Sequence, residues 1–403
     1  MPSDVSADIT IFGSHDTKTI QQLERCVSVE EDARAVLCAD GHVGYSMPIG
    51  GVVGYHKFIS PSGVGYDIAC GNLAAKTNLR ADEINDWTRL AGEIQKRVSF
   101  GIGRKNDHPI KDHPVFARIA SSPVIQQRQL LQLAKEQLGT VGSGNHYVDL
   151  LEDEDGTLWI GVHFGSRGFG HRTATGFMRI AQGGTWESGR AEGEMESPPL
   201  LLPLAQPSGQ DYFEAMTIAG EYAYAGREAV VERVRQILGA TIVDSVHNHH
   251  NFAWKETHSG DPMLVVRKGA TPAFPGQLGF VGGSMGDMSV ILEGVESPAA
   301  RAALYSTVHG AGRVMSRTQA AGKRVRRTGK IIKPGLVDWR AAQDQVRDFG
   351  VVLRGGGPDE APQVYRSLDA VLRAHEGTIK VVHRLKPRVV VMAGPHEFDP
   401  YKD

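Results

Sequence analysis

Glycine sets the terms on which this chain can fold. Forty-eight of its 403 residues are glycine, against roughly 7% in average usage, and much of the excess falls in short polar clusters. There the backbone must turn sharply or come close to a ligand. Between the clusters lie short Val/Ile-rich runs, at residues 35–39, 158–164, 240–246, 263–266, 289–292, 380–382 and 389–392, which predict strands. Helices are fewer. Ser122-Pro123 offers a cap and a first-turn proline, apolar residues follow at Ile125, Leu130, Leu131, Ala134 and Leu138, and Gly139 closes the segment. A longer helix is predicted over 211–238, and others over 337–349 and 368–375, stopped by Gly350 and Gly377. Strands and helices do not alternate regularly, so the expected fold class is α+β rather than a doubly wound parallel sheet. No repeat period is evident, which sets aside solenoids and propellers.

Apolar residues at 41% and charged residues at 22% fall in the globular range and exclude wholesale disorder. With 44 basic and 46 acidic side chains the net charge is -2, so a polyanion must meet a local patch rather than a polycationic surface. Three cysteines, Cys26, Cys38 and Cys70, are too few for a disulfide framework. The first residues carry no basic segment followed by an apolar core, and no apolar run approaches membrane-span length. A cytoplasmic protein with no membrane association is expected. Residues 183–209, rich in Gly, Ser, Pro and Glu, read as an exposed excursion rather than a boundary, because chemically suggestive clusters lie on both sides.

The first cluster is Gly63-Val64-Gly65-Tyr66-Asp67-Ile68-Ala69-Cys70-Gly71-Asn72. A carboxylate and a thiolate three residues apart can face one ion, although a buried structural cysteine beside a turn aspartate has the same sequence signature. Histidines strengthen the metal reading: His146 in Gly142-Ser143-Gly144-Asn145-His146, His163 opening His163-Phe164-Gly165-Ser166-Arg167-Gly168, and His247, His249 and His250 crowded at the end of an apolar run. In His309-Gly310-Ala311-Gly312-Arg313-Val314-Met315-Ser316-Arg317, a helix from about Gly312 would put Arg313 and Arg317 on one face as a phosphate clamp, with His309 placed as a nucleophile or base. Ser166-Arg167-Gly168, Arg267-Lys268-Gly269-Ala270-Thr271 and Gly282-Gly283-Ser284-Met285-Gly286 also suit phosphate. Neither the Walker nor the Rossmann glycine pattern occurs. The run Lys323-Arg324-Val325-Arg326-Arg327, with Lys330 and Lys333, is either a solvated loop or an RNA-backbone contact.

Taken in order, these motifs, with Asp40-Gly41-His42 and Pro48-Ile49-Gly50-Gly51 ahead of them, resemble those of the RtcB family of GTP-dependent RNA ligases, over nearly the whole chain. The resemblance implies one large α+β catalytic domain spanning 1–403, with 395–403 as a C-terminal tail. It implies two Mn2+ ions held by Asp67, Cys70, His146, His163 and His250, with the Cys70 thiolate bridging, and GTP as the cofactor that guanylylates His309. Asn145, Tyr147, Asp149, Asn251, Ser284, Met285, Ser289, Arg313 and Tyr365 match positions around the guanylate, and Arg167, Lys268, Arg313 and Arg317 match phosphate contacts. The implied substrates are RNA ends bearing a 2',3'-cyclic phosphate or 3'-phosphate and a 5'-hydroxyl, and an archease-like activator is an implied partner.

Asp40 is expected either at the other ring nitrogen of His309, setting its tautomer, or capping its own loop. Three departures from the family pattern stand out: Tyr147 for Phe, Asp149 for Glu, and Ala393 where the family has a near-terminal lysine. Two alternatives remain open at this level, a related metal-dependent 3'-phosphate capping enzyme or phosphoesterase with weak ligation, and a noncatalytic RNA-end binding protein.

Overall fold

Two sheets absorb most of the predicted strands. The computed structural model describes residues 8–189, 195–324 and 331–394. Its larger sheet has eight strands, running in space Ile242–His249, Gly71–Arg80, Thr157–Phe164, Tyr147–Glu152, Ile379–Met392, Ser289–Gly294 and Leu278–Val281, with Val352–Arg354 pairing in parallel along Ile379–Met392. The smaller sheet has five, in the order Asp8–Ile11, Arg34–His42, Ile49–Tyr55, Asp261–Lys268 and Asn251–His258. Most pairings are antiparallel, and the strands come in runs interrupted by helices, which makes the molecule α+β.

Burial explains where these pieces sit. Val36, Val52 and Val265 of the smaller sheet pack with Val281, Val290 and Leu292 of the larger one, forming a core between the sheets. The helix Pro207–Leu238 serves two other cores: Tyr212, Met216, Ala219 and Tyr222 pack beside the smaller sheet, and Val230, Val231 and Val234 against Val162, Phe164 and Leu73 of the larger. None of the described helices is long and apolar enough to cross a membrane. Residues 190–194 and 395–403 lie outside the described residues, as do 325–330 of the basic run. The described part of the excursion after them is strapped to the body, with the Met195 carbonyl accepting from Ser46 N at 3.0 Å and Leu202–Pro203 pairing with Phe58–Ile59.

Three expectations need correction. The helix predicted over 122–138 is two pieces, Ile125–Arg128 and Leu131–Gln137, because Gln127 is buried and donates to Ala215 O at 2.8 Å, a tertiary anchor that outweighs helical continuity. The runs at 380–382 and 389–392 belong to one strand, Ile379–Met392, which passes Pro387 with a register shift. Residues 312–316 are not helical: Gly312 has φ +73°, Arg313 bridges to Tyr365 in antiparallel fashion, and the helix starts only at Arg317 under a Ser316 cap.

Arg267, expected among phosphate contacts by its neighbours, is instead wholly buried in the smaller sheet. Its guanidinium donates to Glu256 at 2.6 and 3.0 Å, to Ser306 Oγ at 2.8 Å and to Leu304 O at 2.9 Å. Burial raises the Glu256 carboxyl, but the Arg267 charge holds it below the usual range. The stability it contributes is therefore full above the ordinary glutamate range and is lost as pH falls through the lowered value. Glu256→Ala strands the buried cation and should cost about 3–5 kcal/mol in urea denaturation. Replacing both partners by methionine should cost much less, and equal losses would refute this account.

Candidate metal and nucleotide site

Register brings the chemistry together at one rim. In the larger sheet Gly71 pairs with Phe164 on one side and His249 on the other, Asn72 faces His163, and Tyr147 pairs with both His163 and Met392. In the smaller sheet Lys268 pairs with Asn251. Each of these residues lies at a strand end or one position inside it, so the adjoining loops converge on a cavity of about 950 Å3 lined by Asp67, Cys70, His146, His163, His250 and His309. Gly71 has no alternative: a Cβ there would lie 2.2 Å from Asn248 O.

Two overlapping ligand sets result, Asp67 with Cys70 and His146, and Cys70 with His163 and His250, each with its donor atoms within 4.8 Å of one another. Cys70 is common to both. Its Sγ is 3.7 Å from His146 Nε2 and 3.6 Å from His163 Nε2. Ala69, immediately before it, is held in the left-handed region at φ +59°, the kind of local strain that functional sites carry. Burial raises the Asp67 carboxyl, yet the hydrogen bond and charge of His146, 3.1 Å away, bring it down to about 2. Burial and Asp67 push the Cys70 thiol up, a preference that a coordinated divalent ion reverses by displacing the proton.

The imidazoles are preset as ligands. Asn72 Nδ2 donates to Phe280 O at 2.8 Å, so its Oδ1 must accept from His163 Nδ1 at 2.6 Å, which leaves His163 Nε2 as the lone-pair nitrogen on the Cys70 side. The His163 ring stacks between Tyr147 and His250, at 5.3 and 5.1 Å. His250 Nδ1 is buried with no protein partner. A carboxylate, a thiolate and neutral imidazoles suit a borderline divalent ion.

His309 follows the strand Ser306–Val308, and its ring lies 4.9 Å from that of His250. Asp40 Oδ2 accepts from His309 Nδ1 at 2.6 Å, from His309 N at 3.0 Å and from Gly310 N at 3.4 Å. Burial raises the Asp40 carboxyl, and the charge and hydrogen bonds of His309 outweigh it and hold it below the usual range. An ionised Asp40 keeps the proton on Nδ1. Nε2 is then the basic nitrogen of a histidine that lines the cavity.

The other anticipated residues divide. Asn145, Tyr147, Asp149, Asn251, Ser284, Met285, Lys268, Arg313, Arg317 and Tyr365 line the cavity. The Tyr147 hydroxyl and Asp149 Oδ1 are buried without protein partners, and burial alone lifts the Asp149 carboxyl well above its usual range. Asn251 clasps two loops, accepting from Gly269 N at 2.7 Å and donating to Asp67 O at 3.3 Å. Ser289 sits one layer back, its Oγ accepting from Gly283 N at 3.1 Å. Arg167 flanks the metal cluster, with Nη1 3.4 Å from His146 Nδ1. Lys268 is buried, which lowers its ammonium to about 8, and it donates to Tyr45 O at 2.5 Å and Ser62 O at 3.1 Å.

Arg313 and Arg317 converge without a shared helix, because both meet residues 359–365. Arg317 Nη1 is 3.1 Å from Asp359 Oδ2 and also bonds Glu360, while Arg313 donates to Asp359 O at 2.8 Å and to the Tyr365 hydroxyl at 3.1 Å. Sequence reasoning missed these two acids; their only mark was a place after the glycines at 355–357. It also missed Asn72, although a polar residue two positions after Cys70 on a new strand was a usable signal. His247 and His249, read as part of the metal set, instead accept from Arg227 at 2.8 and 3.0 Å.

A ring of metal-type ligands beside a carboxylate-backed histidine, in a cavity that also holds two arginines, belongs to an enzyme of phosphorus chemistry. The sequence matches the family described as tRNA-splicing ligase RtcB over residues 22–393. It is 31% identical to the tRNA-splicing ligase RtcB of Thermococcus kodakarensis, covering 88% of this chain and 86% of the relative. It is 32% identical to the RNA-splicing ligase RtcB of Escherichia coli K12, over 87% and 88% respectively. The chain belongs to the RtcB family, and its role is that of an RNA ligase in splicing or repair.

Because Cys70 is shared by both ligand sets, its loss should disturb metal binding more than loss of any single histidine. Elemental analysis of Cys70→Ala should find both metal equivalents gone. Retention of two equivalents would show that the sulfur does not bridge.

Proposed function

We propose that the chain transfers GMP from GTP to His309 and spends it on activating an RNA 3'-phosphate for attack by a 5'-hydroxyl. The observation that carries this reading is the Asp40–His309 pair, which makes Nε2 the lone-pair nitrogen of the neutral imidazole in a residue that lines the cavity. Nε2 attacks the α-phosphorus, the bond to pyrophosphate breaks, and Nδ1–H stays on Asp40 throughout. An oxygen of the RNA 3'-phosphate then attacks the phosphorus of the histidine-bound GMP and releases the imidazole. The 5'-hydroxyl finally displaces GMP, losing its proton as the phosphodiester forms; a 2',3'-cyclic end is first opened by water. The logic is that a phosphate monoester is a poor electrophile and GMP provides the leaving group. Two manganese ions, held by Asp67, Cys70, His146, His163 and His250, would neutralise phosphate charge as Lewis acids.

Guanine is favoured by what the cavity leaves unsatisfied. Asp149 is a buried acceptor without a protein cation, and the Watson–Crick edge of guanine offers two adjacent donors, N1–H and the 2-amino group, where adenine offers an acceptor. Arg313 and Arg317 suit phosphate, sharing it with Asp359 and Glu360 or exchanging those partners for it.

Intact mass after incubation with GTP and manganese should show one acid-labile guanylate on the wild type and none on His309→Ala. An adduct of unchanged yield in that variant removes His309 from the mechanism. Asp40→Asn places an amide on Nδ1 and should slow adduct formation about 100-fold or more, with metal content retained.

Ala393 follows Met392, the last residue of the strand Ile379–Met392 and part of the cavity lining, and its carbonyl accepts from Gly356 N at 2.8 Å. The cations nearest in sequence do not replace the family lysine: Arg388 is held by Glu152 at 2.5 Å and Lys386 lies over Phe349 at 5.2 Å. Ala393→Lys should therefore lower the GTP concentration for half-maximal adduct roughly tenfold, the effect of a charge-assisted hydrogen bond of about 1.5–3 kcal/mol or less. An unchanged concentration makes the departure neutral.

A further inference from the structure

We infer that Arg227 is the positioning residue of the metal cluster: one buried guanidinium grips the chain neighbours of Cys70, His163 and His250 together and sets its positive charge behind the thiolate. Arg227 lies midway along Pro207–Leu238 and is completely buried. Nη1 donates to Ala69 O at 3.0 Å and to Phe164 O at 2.6 Å, Nη2 meets His249 Nδ1 at 3.0 Å, and Nε donates to His247 Nε2 at 2.8 Å. Ala69 precedes Cys70, Phe164 follows His163 and His249 precedes His250. A single side chain thus ties together the three segments that carry one complete ligand set.

The charge argument is independent of the contacts. Arg227 makes no salt bridge among the described residues; its partners are two carbonyls, two histidines and the face of Tyr224, 5.2 Å away. An unpaired buried cation is expensive unless some anion faces it. Burial lowers the guanidinium to about 10, still charged at neutral pH, and Tyr224, Cys70 and Asp67 act in the opposite direction. The anionic side of the metal cluster is what this arginine faces. Both histidines accept from it, so neither can serve as a cation itself. A helix position with Ala223, Val230 and Val231 on the same buried face otherwise calls for an apolar residue.

This inference rests on the metal reading, and one experiment separates the two. The full-length metal-free chain and its Arg227→Gln and Arg227→Lys variants are titrated with Mn2+ against a competing fluorescent chelator, alongside thermal melts without metal. A wild type that binds no Mn2+ sinks the metal reading, and this inference with it. Given wild-type binding, a folded Arg227→Gln should bind 10–100-fold more weakly, the usual effect of losing a partner behind the ligands. Arg227→Lys, which restores the charge without the fork, should recover part of that loss. Wild-type affinity in a folded Arg227→Gln overturns the inference and leaves the metal reading standing. If that variant does not fold, His249→Phe decides: it keeps the ring that stacks 5.1 Å from Phe252 and removes only the acceptor beside His250. Weaker Mn2+ binding with an unchanged melt supports the inference, and unchanged binding overturns it.

Discussion

The close grip on one strand end is the constraint from which the site follows. Gly71 is pressed between Phe164 and His249, with room for no side chain. Backbone hydrogen bonds perpendicular to the strands fix that spacing. Cys70 and His250 lie just beyond the paired positions and His163 pairs with Asn72 one step inside them, so pairing itself delivers a thiolate and two imidazoles to one place. His250 N donates to Cys70 O at 2.8 Å, which extends the same backbone lattice into the loops. No flexible side chain has to search for its neighbours.

Placing so many ionisable groups in a protein interior has a cost that the surrounding residues distribute. Asn72 takes the inner proton of His163, Asp40 takes that of His309, and Arg227 donates to His247 and His249. Burial favours the neutral imidazole at His163, His247 and His249, and the hydrogen bonds set which nitrogen carries the lone pair. Arg313 and Arg317 are balanced by Asp359 and Glu360 rather than left as free cations. Among the buried polar atoms of the described residues that have no protein partner, Asp149 Oδ1, the Tyr147 hydroxyl and His250 Nδ1 belong to residues that line the cavity. Ligand chemistry is written in those omissions.

The strand runs at 35–39, 158–164 and 263–266 were legible because apolar, β-branched stretches of that length admit few other readings. Their ends were legible too, since glycine and histidine mark where each run stops. The broken helix near Leu130 was not, because a buried Gln127 bonding Ala215 is a tertiary event. The turn at Gly312 was hidden for a similar reason: spacing of four between Arg313 and Arg317 satisfies a helix as well as it satisfies two chance neighbours of Tyr365 and Glu360.

Residue type and chain order alone determined which chemistry was available, a thiol and a carboxylate between glycines, histidines at strand ends, and arginines near a glycine turn. They also pointed to the α+β class, because local propensity and periodicity are short-range properties. Only the tertiary structure decided which histidines face the cavity and which face Arg227, since His247, His249 and His250 are equivalent as letters. Alternation along a strand turns neighbours to opposite faces, and what waits on each face comes from segments far away in the chain. Asp40 is 269 positions from His309, and Arg227 is 158 from Ala69. Contacts at such separations depend on sheet register and helix placement, which no local pattern encodes.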